Sequence, residues 1–448
     1  MQSKNLIGVD KTGYFLSVKS IAYAMLFLAM LISTPQLYAQ QDSHGPGPDY
    51  LNQGGNIEGI TNLAYYGDWD SNRVFIIDIE NMTLLEVVDG TGDGPYGVDQ
   101  QDATKAYVLT RKTESMTIID NYTMVNAGEI ELEHKPRSTN FNSDTGLSLV
   151  SGADKVMTSV IRIEQDQVMK VFGYNEPATP TDFGGSLATG HPLWVDNRSF
   201  FMLDRAGRQI QLWSGQEGLL SVIHTPTSVH HIFQSPSKNR RNIYFAVVEG
   251  NRDEGLSPSV LRFKLHKGKM KITGEAVLSD YDPELNPAVM GSHHASFHPD
   301  GVHIYIGSAE GHVFVVNKNS MRVVKMIDTG VGSGHTTFAP GRNLAFVTNH
   351  NDTHMTVIDT TDHSWLKDIK VASTMSPDYK SQSHTSAVSP DMRYFYSAAS
   401  HDGKFFEIDM ETLKVSREVK LGEYLQSDDH ANILMGSFIW DGYSEYDM

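Results

Sequence analysis

The feature that most narrows what this chain can become is a unit that returns along nearly its whole length. Each copy runs through a short segment, an aromatic or aliphatic residue, a Ser-Pro-Asp-Gly-like turn and a strand. A polar turn, a strand ending in Ile-Asp and a final strand complete it. Three copies are plain. His294-Ala-Ser-Phe297-His-Pro-Asp-Gly301 leads into Val302 to Gly307 and Val313 to Asn317. His335-Thr-Thr-Phe338-Ala-Pro-Gly341 leads into Leu344 to Thr348 and Met355 to Asp359. His384-Thr-Ser-Ala-Val388-Ser-Pro-Asp391 leads into Tyr394 to Ala398 and Phe405 to Asp409. Weaker copies begin near Gly97, Pro136, His191 and His230.

Short β-branched and aromatic runs between Gly, Asp, Asn and Pro turns, with almost no helical period, predict an all-β chain. Unit starts fall roughly 40 to 60 residues apart, the spacing of a four-stranded propeller blade. Asn62 to Gly90 carries only the outer strands of a blade. The segment Asp429-His-Ala-Asn-Ile433 is predicted to supply its inner strand, tying the two ends together. The expected fold is a single β-propeller of seven or eight four-stranded blades over residues 61–440, closed by N- and C-terminal strands that share a blade.

Residues 1–39 read as a secretory signal. Lys4, Lys11 and Lys19 precede the apolar run Ile21 to Ile32, and small Ala39 marks a cleavage point after the breaker Ser33-Thr34-Pro35. That run is too short for an ordinary membrane span, and no later one is long enough. An N-terminal extension (40–60) and a C-terminal tail (441–448) flank the propeller. The expected location is periplasmic or secreted. With 54 acidic against 36 basic residues and a net charge of -18, a surface that tracks nucleic-acid phosphates is not expected. Cysteine is absent. This removes disulfides, iron–sulfur clusters, thiolate copper sites and thiol nucleophiles, so metal chemistry must run on nitrogen and oxygen ligands.

Histidines recur at one place in the unit. His191, His230 and His231, His293 and His294, His335, His384 and His430 all lie where an inner strand begins. Two units depart from this, with Gly97 and Ser138 at the position, although His134 lies just upstream of Ser138. A closed ring gathers these side chains around one axis. Strict strand alternation predicts that only one of each adjacent pair faces that axis. Neutral imidazole suits copper, zinc and iron, and without sulfur ligands an all-nitrogen copper site, with room for several ions, is the redox candidate. The turns on the same face add His350 with Asp352, His401 with Asp402, and Asp68, whose carboxylates could fix imidazole tautomers. Arg111, Lys112 and Arg205 are expected there as cations that attract a small anion, and with Asp68 they are the candidate catalytic groups. His298 falls in a turn on the opposite face and is expected to be solvated.

The strands Met116-Thr-Ile-Ile-Asp120 and Met355-Thr-Val-Ile-Asp359, with the Ser-Pro-Asp turns, resemble YVTN-type propeller repeats over nearly the whole mature chain. That superfamily includes the haem-binding propeller of nitrite reductase, nitrous-oxide reductase and thiocyanate dehydrogenase. The His positions most resemble the thiocyanate dehydrogenase type, which implies a multinuclear copper cluster on the axis. It further implies oxidation of a small anion, with electrons passed to an external carrier. The chain departs from nitrous-oxide reductase in lacking a cysteine-containing copper domain. A haem-binding propeller stays open, with His191 or His335 as axial ligand and Arg111 or Arg205 on cofactor carboxylates. So do a non-enzymatic scaffold and a lactonase-like propeller.

Overall fold

A computed structural model describes residues 62–440, apart from 102–103, 178–186, 237–241, 293, 374, 376–379 and 425–430. The signal segment, the extension, the tail, His293 and His430 therefore lie outside the described residues. Eight antiparallel four-stranded sheets form the eight blades of a β-propeller. In order from blade 1, the inner strands are Ile433–Ile439, Pro95–Gln100, Pro136–Asn142, Leu193–Trp194, Val229–Gln234, Ala295–Phe297, Ser333–Ala339 and Ser386–Val388. Among the described residues no helix is long and apolar enough to cross a membrane.

Local chemistry explains why each blade turns where it does. In blades 1, 2, 6, 7 and 8 the third strand ends in Asp or Asn, and that side chain accepts N–H groups two or three residues on. Asp120 takes those of Tyr122 and Thr123, Asn317 those of Asn319 and Ser320, and Asp409 those of Glu411 and Thr412. The residue that closes the turn is left-handed in each case: Met82, Met124, Met321, His363 and Leu413 occupy it in blades 1, 2, 6, 7 and 8. In blades 1, 2 and 6 this residue is a buried methionine that plugs the core.

A blade buries both faces, so its central strands are apolar on both sides, as in Arg73–Asp78 and Ile243–Val248. Eight hydrophobic clusters result, one at each seam between neighbouring blades. At the seam of blades 7 and 8, Phe346 and Phe395 stack at 4.4 Å, and truncating either to Ala costs about 3–5 kcal/mol. With a cluster at every seam, seven blades are excluded and the ring is closed. Closure is covalently economical. Leu63–Asp68 pairs antiparallel with Ile433–Ile439, so blade 1 is built from both ends of the chain. The described inner strand starts at Ile433, and just before it Asn432 caps the neighbouring turn, its N–H donating to Asp68 at 2.9 Å; Asp429 and His430 lie outside the described residues.

Candidate metal centre

Inner strands begin at one mouth of the channel, and four of them begin irregularly. In blade 5 Val229 pairs with Val248 and His231 with Val247, which leaves His230 as the extra residue of a β-bulge. Tyr96 in blade 2 and Arg137 in blade 3 are unpaired in the same way, and Gly334 and His335 fall inside the corresponding break of blade 7. A bulge suspends the in-and-out alternation of a strand. His230 and His231 therefore both meet His191, with ring centres 5.1 and 6.2 Å away, where alternation predicted one. The bulge also moves the register by one residue. Tyr96 and Arg137, not Gly97 and Ser138, stand where blade 5 places His230.

Seven imidazoles from blades 4 to 8 form one continuous set, all buried. His191, His230 and His294 each bring a ring nitrogen within 4.8 Å of the other two. His231 lies 5.5 Å from His294, and His294 lies 3.9 Å from His335. His335 in turn contacts His350 at 5.6 Å and His384 at 5.7 Å, and those two rings stack at 4.1 Å. Burial first, then the Arg137 charge, holds His191 well below the usual imidazole range. Burial holds His231 down at about 3. Both rings are neutral near pH 7, the form that ligates metal. His231 Nδ1 is buried with no hydrogen-bond partner, an orphaned nitrogen that suits a bound ion.

Backbone geometry positions the rings. His350 follows the second strand of blade 7 (Leu344–Asn349), and its Nδ1–H donates to the Gln382 carbonyl at 3.2 Å. That hydrogen bond turns Nε2 toward Gly334, where a Cβ would stand only 2.0 Å from it. Only glycine leaves room for the ring. His384 is held by its own N–H, which donates to the Leu434 carbonyl at 2.9 Å.

The residue directly after the second strand of a blade is Arg111, Arg205, Glu249, Ala309 and His350 in blades 2, 4, 5, 6 and 7. Glu249 is fully buried. Arg205 Nη2 donates to both of its oxygens at 2.7 and 2.8 Å, and His230 Nδ1 lies 2.8 Å from Oε1. A carboxylate behind an imidazole fixes its tautomer and raises its basicity. Arg137 Nη2 lies 3.1 Å from His230 Nε2, while its Nε and Nη1 are buried without a partner. Burial and the charges of Arg205 and Arg111 push its pKa well down. The Arg111 guanidinium sits 3.2 Å from the centre of the Tyr96 ring. Beside these groups opens a cavity of about 570 Å³ lined by Tyr96, Arg111, Glu249, Lys380, His350 and His384, among others.

Several expected members lie elsewhere. His134 bonds to Ser159 at 2.9 Å and to the Lys135 carbonyl at 3.2 Å, so both its nitrogens are spent inside blade 3. Lys112 is exposed over Trp69 and faces Asp93 at 3.5 Å. Asp68 is buried but caps its own turn, accepting from Ser71 at 2.7 Å. Asp352 pairs with His354 at 2.8 Å rather than with His350, and Asp402 accepts from the N–H and hydroxyl of Ser373. His401 is half-buried beside Asp402. Arg205 is at the mouth, yet its charge is bound to Glu249, so it positions a carboxylate and is not an open anion receptor. His298 is half-buried, its ring stacked on Tyr305 at 5.7 Å, and so only partly solvated.

Glu249, Arg137, Tyr96 and Lys380 escape a search of the sequence for histidines. A signal for Glu249 exists all the same: it holds the repeat position of Arg111, Arg205 and His350. Arg137 and Tyr96 share the position of His230 only once the bulge is counted.

The fold and site together define an eight-bladed β-propeller with a buried histidine cluster at one mouth of its channel. No family model and no curated protein matches the sequence. Among solved structures the chain is similar to dihydro-heme d1 dehydrogenase NirN in complex with DHE, with a TM-score of 0.59, 13% identity, and coverage of 93% of this chain and 85% of that one. It is also similar to apo AztD from Citrobacter koseri, with a TM-score of 0.55, 11% identity, and coverage of 84% of this chain and 98% of that one. At these identities the likeness is one of fold, and activity must be argued from the site.

Proposed function

We propose that this chain is an exported copper-dependent oxidoreductase that acts on a small anion at the channel mouth. One observation carries the reading: seven buried imidazoles from five blades make a single contiguous donor set in a chain without thiols. The donor chemistry fits copper, which heads the divalent affinity series for nitrogen ligands. Bound copper would accept electrons and lower the pKa of a ligating water. His191, His231 and His294 would hold it at one end of the set, with His230 joining them once its Nε2 is released from Arg137, and His335, His350 and His384 at the other.

The chain's own groups account for the rest. Glu249 and Arg205 orient His230 from behind. Arg111 and Arg137 place two guanidiniums beside the rings that the Arg205–Glu249 pair does not neutralise, so a negatively charged occupant offsets a buried positive charge. The cavity of about 570 Å³ admits a small substrate. Electrons leave to an external carrier.

Metal analysis of the mature protein tests this directly. Two or more copper ions per chain, with turnover of thiocyanate in the presence of a soluble electron acceptor, are expected. Arg137→Met should raise KM for the anion while leaving copper content unchanged. A chain that takes up no copper, or that instead shows a Soret-type absorption after haem loading, refutes the copper reading.

A further inference from the structure

We propose a second metal site, on the opposite face of the ring at the seam of blades 6 and 7. It would take a divalent ion of the zinc class, held by His298, Asp300 and His303 of blade 6 and His363 of blade 7. Nothing in the proposed oxidation uses these residues, and the two sites stand or fall separately.

The candidate ligand atoms already lie close together. His298, Asp300 and His303 each offer a ligand atom within 4.8 Å of the other two. Zinc bound at about 2.0 Å in a tetrahedron places neighbouring ligand atoms roughly 3.3 Å apart. His298 Nδ1 already lies 3.2 Å from Asp300 Oδ1. His303 Nδ1 lies 2.6 Å from Asp300 Oδ2, a hydrogen bond that the ion replaces by a modest opening. His298 Nε2 donates to the Thr360 carbonyl at 3.2 Å, so its lone pair is on Nδ1, where it accepts the Asp300 N–H at 3.1 Å, a hydrogen bond that a bound ion must displace. A backbone carbonyl behind a ligating imidazole is the usual way such a ring is fixed. His363 flanks these three from the neighbouring blade and is the fourth ligand of the proposed site. Its ring lies 4.7 Å from His303 and 5.4 Å from His298, and Tyr305 holds its Nδ1 at 2.6 Å, leaving Nε2 as the ligand atom.

A second, independent observation comes from the repeat. His363 occupies the left-handed turn position that is Met82, Met124, Met321 and Leu413 in blades 1, 2, 6 and 8. Those blades use it for an apolar plug. Likewise His298-Pro-Asp300 matches Ser389-Pro-Asp391 of blade 8, and His303 opens the second strand where blade 8 has Tyr394. Turn capping explains an aspartate at this place in any blade. It does not explain three histidines converging on it at a single seam. An ion here would tie the first turn of blade 6 to the last turn of blade 7.

The test uses the mature chain, stripped with a chelator and titrated with Co²⁺, whose visible absorption reports low-coordinate nitrogen and oxygen ligands. His191→Ala/His294→Ala/His384→Ala leaves two histidines at each end of the channel-mouth cluster and should retain one tightly bound Co²⁺ per chain. In that background a further His298→Gln or His363→Met should abolish the signal, and Zn²⁺ should displace it where the second site is intact. The methionine variant is chosen because blades 1, 2 and 6 already fold with that residue. Zn²⁺ should also raise the Tm of the triple variant but not of the triple variant carrying His363→Met. Loss of all Co²⁺ binding in the triple variant, or binding that persists when either second-site change is added, overturns the proposal.

Discussion

Gly334→Ala separates a ligand role for His350 from a packing role. The three atoms nearest a Cβ at residue 334 all belong to the His350 ring, with Nε2 at 2.0 Å and Cδ2 at 2.4 Å. Ordinary contact is about 3.5–4.0 Å, so the ring must retreat by roughly 1.5 Å or more. A copper–nitrogen bond tolerates only a few tenths of that, and the ligand is lost. Gly334 is not among the positive-φ glycines, so Ala can adopt its backbone. Relieving the overlap costs about 1–3 kcal/mol, which in a ring of this size lowers Tm by only about 1–4 °C. Copper per chain and Tm are measured for Gly334→Ala, His350→Ala and the double variant. The expected outcome is a folded Gly334→Ala protein that lacks at least one copper, with the clash vanishing in the double variant: adding Gly334→Ala to His350→Ala changes Tm by less than it does in the parent. Full copper occupancy in Gly334→Ala, or equal Tm changes in both backgrounds, refutes the reasoning.

Glu249→Gln leaves Arg205 buried without its counter-charge and should destabilise the fold by about 3–5 kcal/mol; by loosening His230 it should weaken copper binding about 10–100-fold, read by denaturant unfolding and copper titration. Glu407 is buried, which pushes its carboxyl up, but Arg417, Ser416 and Tyr396 more than offset this and hold its pKa below the usual value of 4.5. Because the folded pKa is the depressed one, its stabilisation is present above about pH 4.5 and fades as pH falls below it; Glu407→Gln should flatten the acid limb of a Tm–pH curve, and an unchanged limb counts against the assignment. His134→Ala should lower stability by about 1–3 kcal/mol through the lost Ser159 bond yet keep all copper. Lys112→Ala should alter neither copper content nor turnover.

The sequence by itself was enough for the ring. Periodic apolar strands, Ser-Pro-Asp turns and third strands ending in Asp are local signals, and a unit with two apolar faces has no stable arrangement other than a closed stack. It was also enough to show that histidines recur where inner strands start, because that is again a periodic statement. Tertiary structure decided what the mouth of the channel contains. The bulges that bring Tyr96, Arg137 and His230 to one position, and turn both His230 and His231 inward, depend on hydrogen bonds to the next strand and leave no mark in composition. Whether a turn charge faces inward or outward rests on a single residue of register: Arg111 lines the cavity and Lys112 does not, and Asp68 is drawn to Ser71 and Asn432. Glu249 and Arg205 find one another only because blades 4 and 5 pack side by side, and the same adjacency brings His363 across a seam to His298 and His303. Short-range pattern sets the architecture; contacts between blades choose the chemistry.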